Sequence, residues 1–412
     1  MLSGLRLASA LLGVLALGLC SDALVVRKPS PVTLPFARRF NATGAPKILE
    51  HDQARAKALK ARALAKPGQL SRRIIDNDPV TNQAVDYVAT VGVGSPPSDF
   101  TLLIDTGSSN TFVGVTKPFQ ETSTTVNTGQ LMVGTVLVSW EEFLDTVTLG
   151  PGVAIQNQSF GVAIESSGFE GLDGIIGIGP VDLTCGTLIP DSSACVPTVT
   201  DNAFAQGLID AHEVGISFAP TTSLETTNGE LTFGGIDSSK FTGPLNFVPI
   251  TSTAPASEFV GIDQSVTYGT AGTTVLATTA GITDTGTTLL LLASDALATY
   301  QQLTGAVFDN NVGLLSLTPE QFGNLESLFF NIGDTTLEFT PNAQAWPRAL
   351  NAAIGGDANS VFLIVGDLGT DSGEGFDFVD GMTFLERFYY VFDAANNQVG
   401  FATTQFTNAE TN

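Results

Sequence analysis

The sequence predicts a mostly β protein whose two halves repeat, and three observations carry that prediction. Leu102-Leu103-Ile104-Asp105-Thr106-Gly107-Ser108-Ser109 and Gly281-Ile282-Thr283-Asp284-Thr285-Gly286-Thr287-Thr288 write one pattern twice: a β-type run ending on Asp, then Thr-Gly, then two hydroxyl residues. Thr, Gly, Val and Phe are abundant, and apolar runs are short and broken by Gly, Pro, Asn and Asp, which favours strands over long helices. A glycine element also follows each Asp by roughly 70–80 residues, so whole halves are the repeating unit. These elements are Asp173-Gly174-Ile175-Ile176-Gly177-Ile178-Gly179 and Phe362-Leu363-Ile364-Val365-Gly366-Asp367.

One Asp-Thr-Gly is ordinary turn chemistry, because Asp bonds nearby backbone and Gly permits a tight turn. Two copies followed by paired hydroxyls are not, since at uniform residue usage the pattern has a chance frequency on the order of one in a million per position. Each strand presents its Asp at its end, with Gly107 or Gly286 letting backbone amides face the carboxylate. Two carboxylates brought together cannot both ionise, so the pair shares a proton and offers a general base and a general acid in one site.

The 412 residues leave room for two or three domains and a large core. Residues 1–20 carry Arg6, the apolar run 7–19 and then small or polar residues, as a secretory signal does. The run is too short for a membrane span, and the tail 405–412 is polar, against a lipid-anchor signal. The expectation is a secreted, extracellular protein with no membrane partner; Asn157-Gln158-Ser159 and Asn41-Ala42-Thr43 are then glycosylation triplets.

Charge divides the chain. Residues 21–73 hold 12 Lys and Arg against 3 acids, a net +9, whereas 74–412 hold 4 against 38, a net −34. That contrast suits a basic propeptide over 21–73 that neutralises the acidic body, with a Lys or Arg on the aspartates, and is cut at Arg72-Arg73. A nucleic-acid or membrane arm is the competing reading, set against the secretory signal and the acidic remainder. A helix is predicted over 53–66, stopped by Pro67-Gly68. With Lys117, Lys240, Arg348 and Arg387 its only cations, the body is expected to be more stable in mild acid than above neutrality.

Of three cysteines, Cys20 falls at the signal boundary, leaving Cys185 and Cys195 as an even pair in an oxidising compartment, where a disulfide is expected. After residue 73 the only histidine is His212, which argues against a zinc site and against Ser-His-Asp or Cys-His catalysis. Asp210-Ala211-His212-Glu213 reads as a solvated turn. A glycosidase also uses two carboxylates, but it does not require two equivalent Asp-Thr-Gly loops. No metal, cofactor or nucleic acid is expected.

In order, Tyr87 to Val93 alternates as a strand, 94–98 turns, and 99–104 returns to deliver Asp105. A helix starting on a capping Ser294 is predicted over 294–303, and Thr318-Pro319-Glu320-Gln321 combines an N-cap, Pro at the first helical position and a capping-box Gln.

Together these motifs resemble the pepsin-like aspartic proteases and, over 74–406, their polyporopepsin-like branch from wood-rotting fungi. Phe384 to Asp393, Asn396-Asn397 and 399–402 match the closing helix, strand, turn and strand of the pepsin-like family, and the acidic Gly-rich run over 369–383 before them is an insertion that most of that family lacks. The resemblance implies two pseudo-symmetric all-β lobes with a few short helices, divided near Ile250 into 74–250 and 251–412. It implies a monomeric acid endopeptidase, made as a zymogen, that takes polypeptides in extended conformation and attacks them with a water held by Asp105 and Asp284. Thr106 and Thr285 would cross-brace the loops, Ser108 and Thr287 would bond the outer carboxylate oxygens, and the Gly107 and Gly286 amides would hold the carboxylates coplanar. The family's flap carries Tyr-Gly-x-Gly-Ser, but here the Tyr position is Val133, followed by Gly134, and the Trp that the Tyr bonds is replaced by Phe112. Val133 and Phe112 are expected to form a matched apolar pair, and the missing Tyr keeps open a rival reading as a catalytically weak or inactive binding or inhibitor protein.

Overall fold

The computed structural model describes residues 31–40, 48–64, 85–133, 139–150, 152–164 and 171–412. The signal at 1–20, Asn41, Arg72-Arg73 and Gly134 lie outside the described residues.

Strands Val85–Val93 and Ser98–Asp105 form the expected hairpin, Val88 opposite Leu103. Leu102 and Ile104 enter the main core while Leu103 enters a second apolar cluster, so the Asp105 strand is buried on both faces. That is why its sequence is a continuous apolar run and not an alternation. Asp105 pairs in parallel register with Gly177 of strand Gly174–Gly177. That strand runs antiparallel to Phe112–Val113, which is parallel to Ala154–Ala163. Ser139–Thr148 follows, and its Thr148 returns to Gly92, closing six strands on themselves.

The second half repeats the same succession of senses. Asp284, ending strand Thr273–Asp284, pairs in parallel with Gly381 of Phe378–Gly381. That strand is antiparallel to Leu290–Leu292, which is parallel to Val365–Asp367. The second-half counterpart of Gly174–Gly177 is therefore Phe378–Gly381, and the sequence assignment to Phe362-Leu363-Ile364-Val365-Gly366-Asp367 is corrected. Val365–Asp367 takes the place of Ala154–Ala163 instead. The cause is Asp380: an acid stands where the apolar-apolar-Gly pattern has an apolar residue, so this inner strand reads as part of the acidic Gly-rich run 369–383.

The two lobes share a floor. A 14-stranded sheet runs from the first lobe through Val32–Phe40, Glu225–Phe233 and Glu213–Ser217 to the closing pair Phe388–Asp393 and Gln398–Thr403. Strand Val32–Phe40, not anticipated from sequence, lies between Val85–Val93 and Glu225–Phe233. Its Arg38 is buried, donates from Nη1 to Thr221 O (3.0 Å), and pairs through Nε with Glu386 (3.4 Å), which also accepts from Tyr87 Oη (2.7 Å).

The basic segment's helix spans Ile48–Ala63, starting earlier than predicted because Ile48 and Leu49 are buried with Asp52, Ala56 and Leu59 along one face. Helix Ser294–Thr304 ends on left-handed Gly305 (φ 71°). Its Ser294 is not a cap, since the hydroxyl donates to Asp367 Oδ1 (2.7 Å) and Ala293 holds the cap position. Helix Pro319–Gly323 has the expected reciprocal box between Thr318 and Gln321. No described helix is long and apolar enough to cross a membrane.

Candidate active site

Asp105 and Asp284 come together because each ends an inner strand of its lobe and the following loops interlock. Thr106 N donates to Thr285 Oγ1 and Thr285 N to Thr106 Oγ1, each at 3.0 Å. The hydroxyls continue into the opposite strand, Thr285 Oγ1 to Ile104 O (3.0 Å) and Thr106 Oγ1 to Thr283 O (3.4 Å). All four residues are buried, so each bond replaces one that water cannot supply. Thr285→Val is expected to strand the Thr106 amide and the Ile104 carbonyl and to cost about 2–6 kcal/mol, at about 1–3 kcal/mol per orphaned group. Denaturant unfolding measures it; a loss under about 0.5 kcal/mol would show the brace to be dispensable.

Each carboxylate is held at both oxygens. Gly107 N donates to Asp105 Oδ1 (2.9 Å) and Gly286 N to Asp284 Oδ1 (3.1 Å). Ser108 Oγ donates to Asp105 Oδ2 (2.5 Å) and Thr287 Oγ1 to Asp284 Oδ2 (2.6 Å). Close approach requires both glycines: a Cβ on Gly107 would lie 2.6 Å from Asp284 Oδ1, and one on Gly286 would lie 2.9 Å from Asp105 Oδ1.

Between the carboxylates stands Arg55 of helix Ile48–Ala63. Its Nη2 donates to Asp105 Oδ1 (2.6 Å) and Asp284 Oδ1 (3.0 Å), and its Nε to Asp284 Oδ2 (2.7 Å). Burial pushes the Asp105 carboxyl up and Asp284 adds to the push, while Arg55 opposes without reversing it. Burial also works to raise Asp284, but the two-pronged Arg55 contact, with help from Thr287 and Gly286, outweighs it and holds that carboxyl below its usual range. Arg62, a second cation of the helix, donates to Leu183 O, and burial lowers it to about 10 although Asp105 pulls the other way.

The protein-family model described as eukaryotic aspartyl protease matches residues 86–404, which take in both Asp-Thr-Gly loops. The chain belongs to the eukaryotic aspartyl protease family. It is similar to polyporopepsin of Irpex lacteus, with 58% identity over 337 residues that cover 81% of this chain and 98% of that protein. Pepsin A of Suncus murinus is 29% identical, over 82% of this chain and 85% of its own. The crystal structure of the aspartic proteinase from Irpex lacteus aligns with a TM-score of 0.79 and 50% identity, covering 93% of this chain and 100% of that one. As an aspartyl protease the chain is an aspartic-type endopeptidase, a hydrolase of peptide bonds.

The structure revises the expectation about Val133 and Phe112. Phe112 stacks on Trp140 (centroids 4.3 Å apart, planes 15° apart) in a cluster with Met132, Leu188 and Ile175, and Val133 is not a member of that cluster. Trp140 lies on Ser139–Thr148 opposite Met132, so alternation turns it inward, whereas Val133, one residue on, faces the other way. Val133 N donates to Thr187 O (2.8 Å). Trp140 was not singled out from the sequence, because only the strand register shows what it meets.

Cys185 and Cys195 are joined in a disulfide. His212 lies in the bend that precedes strand Glu213–Ser217, beside exposed Asp210, but is itself half-buried: it stacks on Phe204 and contacts Asp201 Oδ1 through Nε2 (2.7 Å). Among the described residues no group of three or more His, Cys, Asp or Glu is arranged to hold a metal.

Proposed function

We propose that Asp105 and Asp284 are the catalytic pair of a secreted endopeptidase that works in acid and is made as a zymogen, with the basic segment to residue 73 as its own inhibitor. The observation that carries this reading is the seat of Arg55 Nη2, within hydrogen-bond reach of both inner oxygens (2.6 and 3.0 Å). A water at that place lies between a base and an acid. With a polypeptide extended along the cleft between 74–250 and 251–412, the water oxygen bonds the scissile carbonyl carbon. One Asp takes the water proton and the other protonates the carbonyl oxygen. The neutral diol then collapses: the C–N bond breaks, the nitrogen takes a proton from one Asp, and a diol hydroxyl returns one to the other. Thr106, Gly107, Ser108 and their counterparts Thr285, Gly286, Thr287 hold the carboxylates in place throughout.

Docked Arg55 excludes that water. Because its contact depresses Asp284, the docking energy is fully present above the carboxyl's free pKa and is lost as pH falls through the depressed one. Asp105, shifted upward, gives way first. Arg55→Ala is expected to remove about 3–5 kcal/mol of docking, the cost of breaking a buried pair by deleting one partner. The intact variant should cleave a peptide at pH 5–6, where the intact wild type is silent until acidified. Peptide hydrolysis alongside the mass of the chain reads both; intact wild type, uncut by mass, that cleaves the peptide at pH 5–6 as fast as the form lacking residues 1–73 would sink the zymogen reading.

A further inference from the structure

Strand Val126–Val133 ends on the residue that stands where the family's flap carries its Tyr, and it has a neighbour on each edge. Ser139–Thr148 pairs with one edge, and Leu188–Ile189 pairs antiparallel with the other, Met132 opposite Leu188 and Leu131 opposite Ile189. Val133 N donates to Thr187 O (2.8 Å), so the backbone at Val133 is tied sideways to that same segment. Leu188–Ile189 ends the 14-stranded sheet, and without it the edge of Val126–Val133 would stand open.

So short a pairing does not hold itself in place. The added order comes from the loop that carries it, which the Cys185–Cys195 disulfide closes and in which Gly186 N donates to Ala194 O (3.3 Å). Thr184 ties both flanks together: its Oγ1 accepts from Val196 N (2.7 Å), and its carbonyl accepts from Thr187 N (3.2 Å) and Thr187 Oγ1 (2.6 Å). Thr184 and Thr187 are buried, so these bonds are shielded from water. The crosslink removes the other conformations an open loop would sample, and the edge from Thr187 to Ile189 is presented ready-made. Leu188 and Val196 then seat in the apolar cluster that holds Met132, Phe112 and Trp140. The loop therefore grips the hairpin by its backbone and by its side chains.

We propose that the loop closed by Cys185 and Cys195 is a brace for strand Val126–Val133, with Thr187 and Leu188 as positioning residues for peptide hydrolysis. With Val133 and Phe112 in place of the Tyr and its Trp, the side-chain bond that would fix this point is gone, and Thr187 O fixes it through the backbone instead. Asp105 and Asp284 keep the hydrogen bonds of their own loops whether or not the brace is closed. The brace thus acts on where substrate is held, not on the carboxylates. This rests on the reading of those two aspartates as the catalytic pair.

Cys195 is exposed, so a water-soluble phosphine, which reduces disulfides in acid, reaches the bond in active enzyme that has already folded, and mass shows the bond open. Opening it should lower kcat/KM for a synthetic peptide about tenfold, the effect of a displaced positioning element, and leave the pH profile unmoved. Amide exchange over 126–133 should quicken about tenfold or more while exchange over Thr273–Asp284 stays as it was. Leu188→Ala should act in the same direction, whereas Leu188→Met, which keeps the volume, should stay within about threefold of wild type. Activity within about twofold of wild type with the bond open, a shifted pH profile, exchange that quickens equally in Thr273–Asp284, or Leu188→Met as poor as Leu188→Ala would each overturn the proposal. Failure of the catalytic reading shows separately, as an Asp284→Asn form lacking residues 1–73 that still cleaves the peptide within about tenfold of wild type.

Discussion

Asp284→Asn is expected to lower peptide hydrolysis by the form lacking residues 1–73 on the order of 10⁴-fold, in kcat and with KM within about threefold. The amide keeps the shape: its oxygen still accepts from Gly286 N, and the Thr287 hydroxyl, which now donates to Oδ2 (2.6 Å), can rotate to accept from the new NH₂. What it loses is the proton. A pair that shares one proton supplies both the base for water and the acid for the carbonyl oxygen, so neutralising either member removes both functions. Asp105→Asn should therefore cost a similar factor. In the full-length chain Asp284→Asn also deletes one of the two anions around Arg55, so the docked segment should release at higher pH even though no activity follows. Steady-state kinetics with size analysis of the protein separates the effects; either Asn variant within tenfold of wild type would place the acid–base chemistry elsewhere.

How much of this was legible from residues alone depends on whether a local pattern encodes the contact. The two Asp-Thr-Gly loops are local, and their hydrogen bonds to Gly107, Gly286, Ser108 and Thr287 follow from chain geometry within three residues. The charge contrast between segment and body was equally visible, but which cation meets the aspartates was not. Arg55 is chosen by helix phase: Asp52, Arg55, Ala56 and Leu59 share the face turned to the body. Strand Val32–Phe40 was missed because what makes it a strand is the pair of edges it fills, with Arg38 buried against Glu386. Trp140 was missed for a similar reason, since the partner of Phe112 lies across strands and is set by register. Asp380 misled in the opposite sense. A buried acid in a central strand contradicts the local rule, and such contradictions are where a sequence pattern fails.

That same contradiction sets the last expectation: Asp380→Asn should raise stability at pH 8 by about 5 kcal/mol while changing it little near pH 4. Asp380 is buried opposite Thr283, one register step from Asp284. Its Oδ1 accepts from Gln264 Nε2 (3.1 Å), while its Oδ2 and Gln264 Oε1 are both buried without a hydrogen-bond partner. Burial pushes the carboxyl up to about 8, and the Gln264 bond offsets only part of that. In the unfolded chain the same group titrates near about 3.9. Between those values the folded state holds a proton that the unfolded state has released, so stability falls as pH rises, by about 1.4 kcal/mol per unit, and levels off above the folded pKa. Across about four units that amounts to about 5 kcal/mol, in the direction already expected from the body's excess of acids. Asparagine removes the titration and suits the site better: its Oδ1 can accept from Gln264 Nε2 while its Nδ2 donates to Gln264 Oε1, satisfying both orphaned atoms. Some decline with pH should persist, because burial also raises Glu386 and Glu213. Thermal unfolding of wild type and variant at pH 4, 6 and 8 decides the point: curves that diverge steadily with pH support the assignment, and parallel curves would show that Asp380 keeps no proton the unfolded chain gives up.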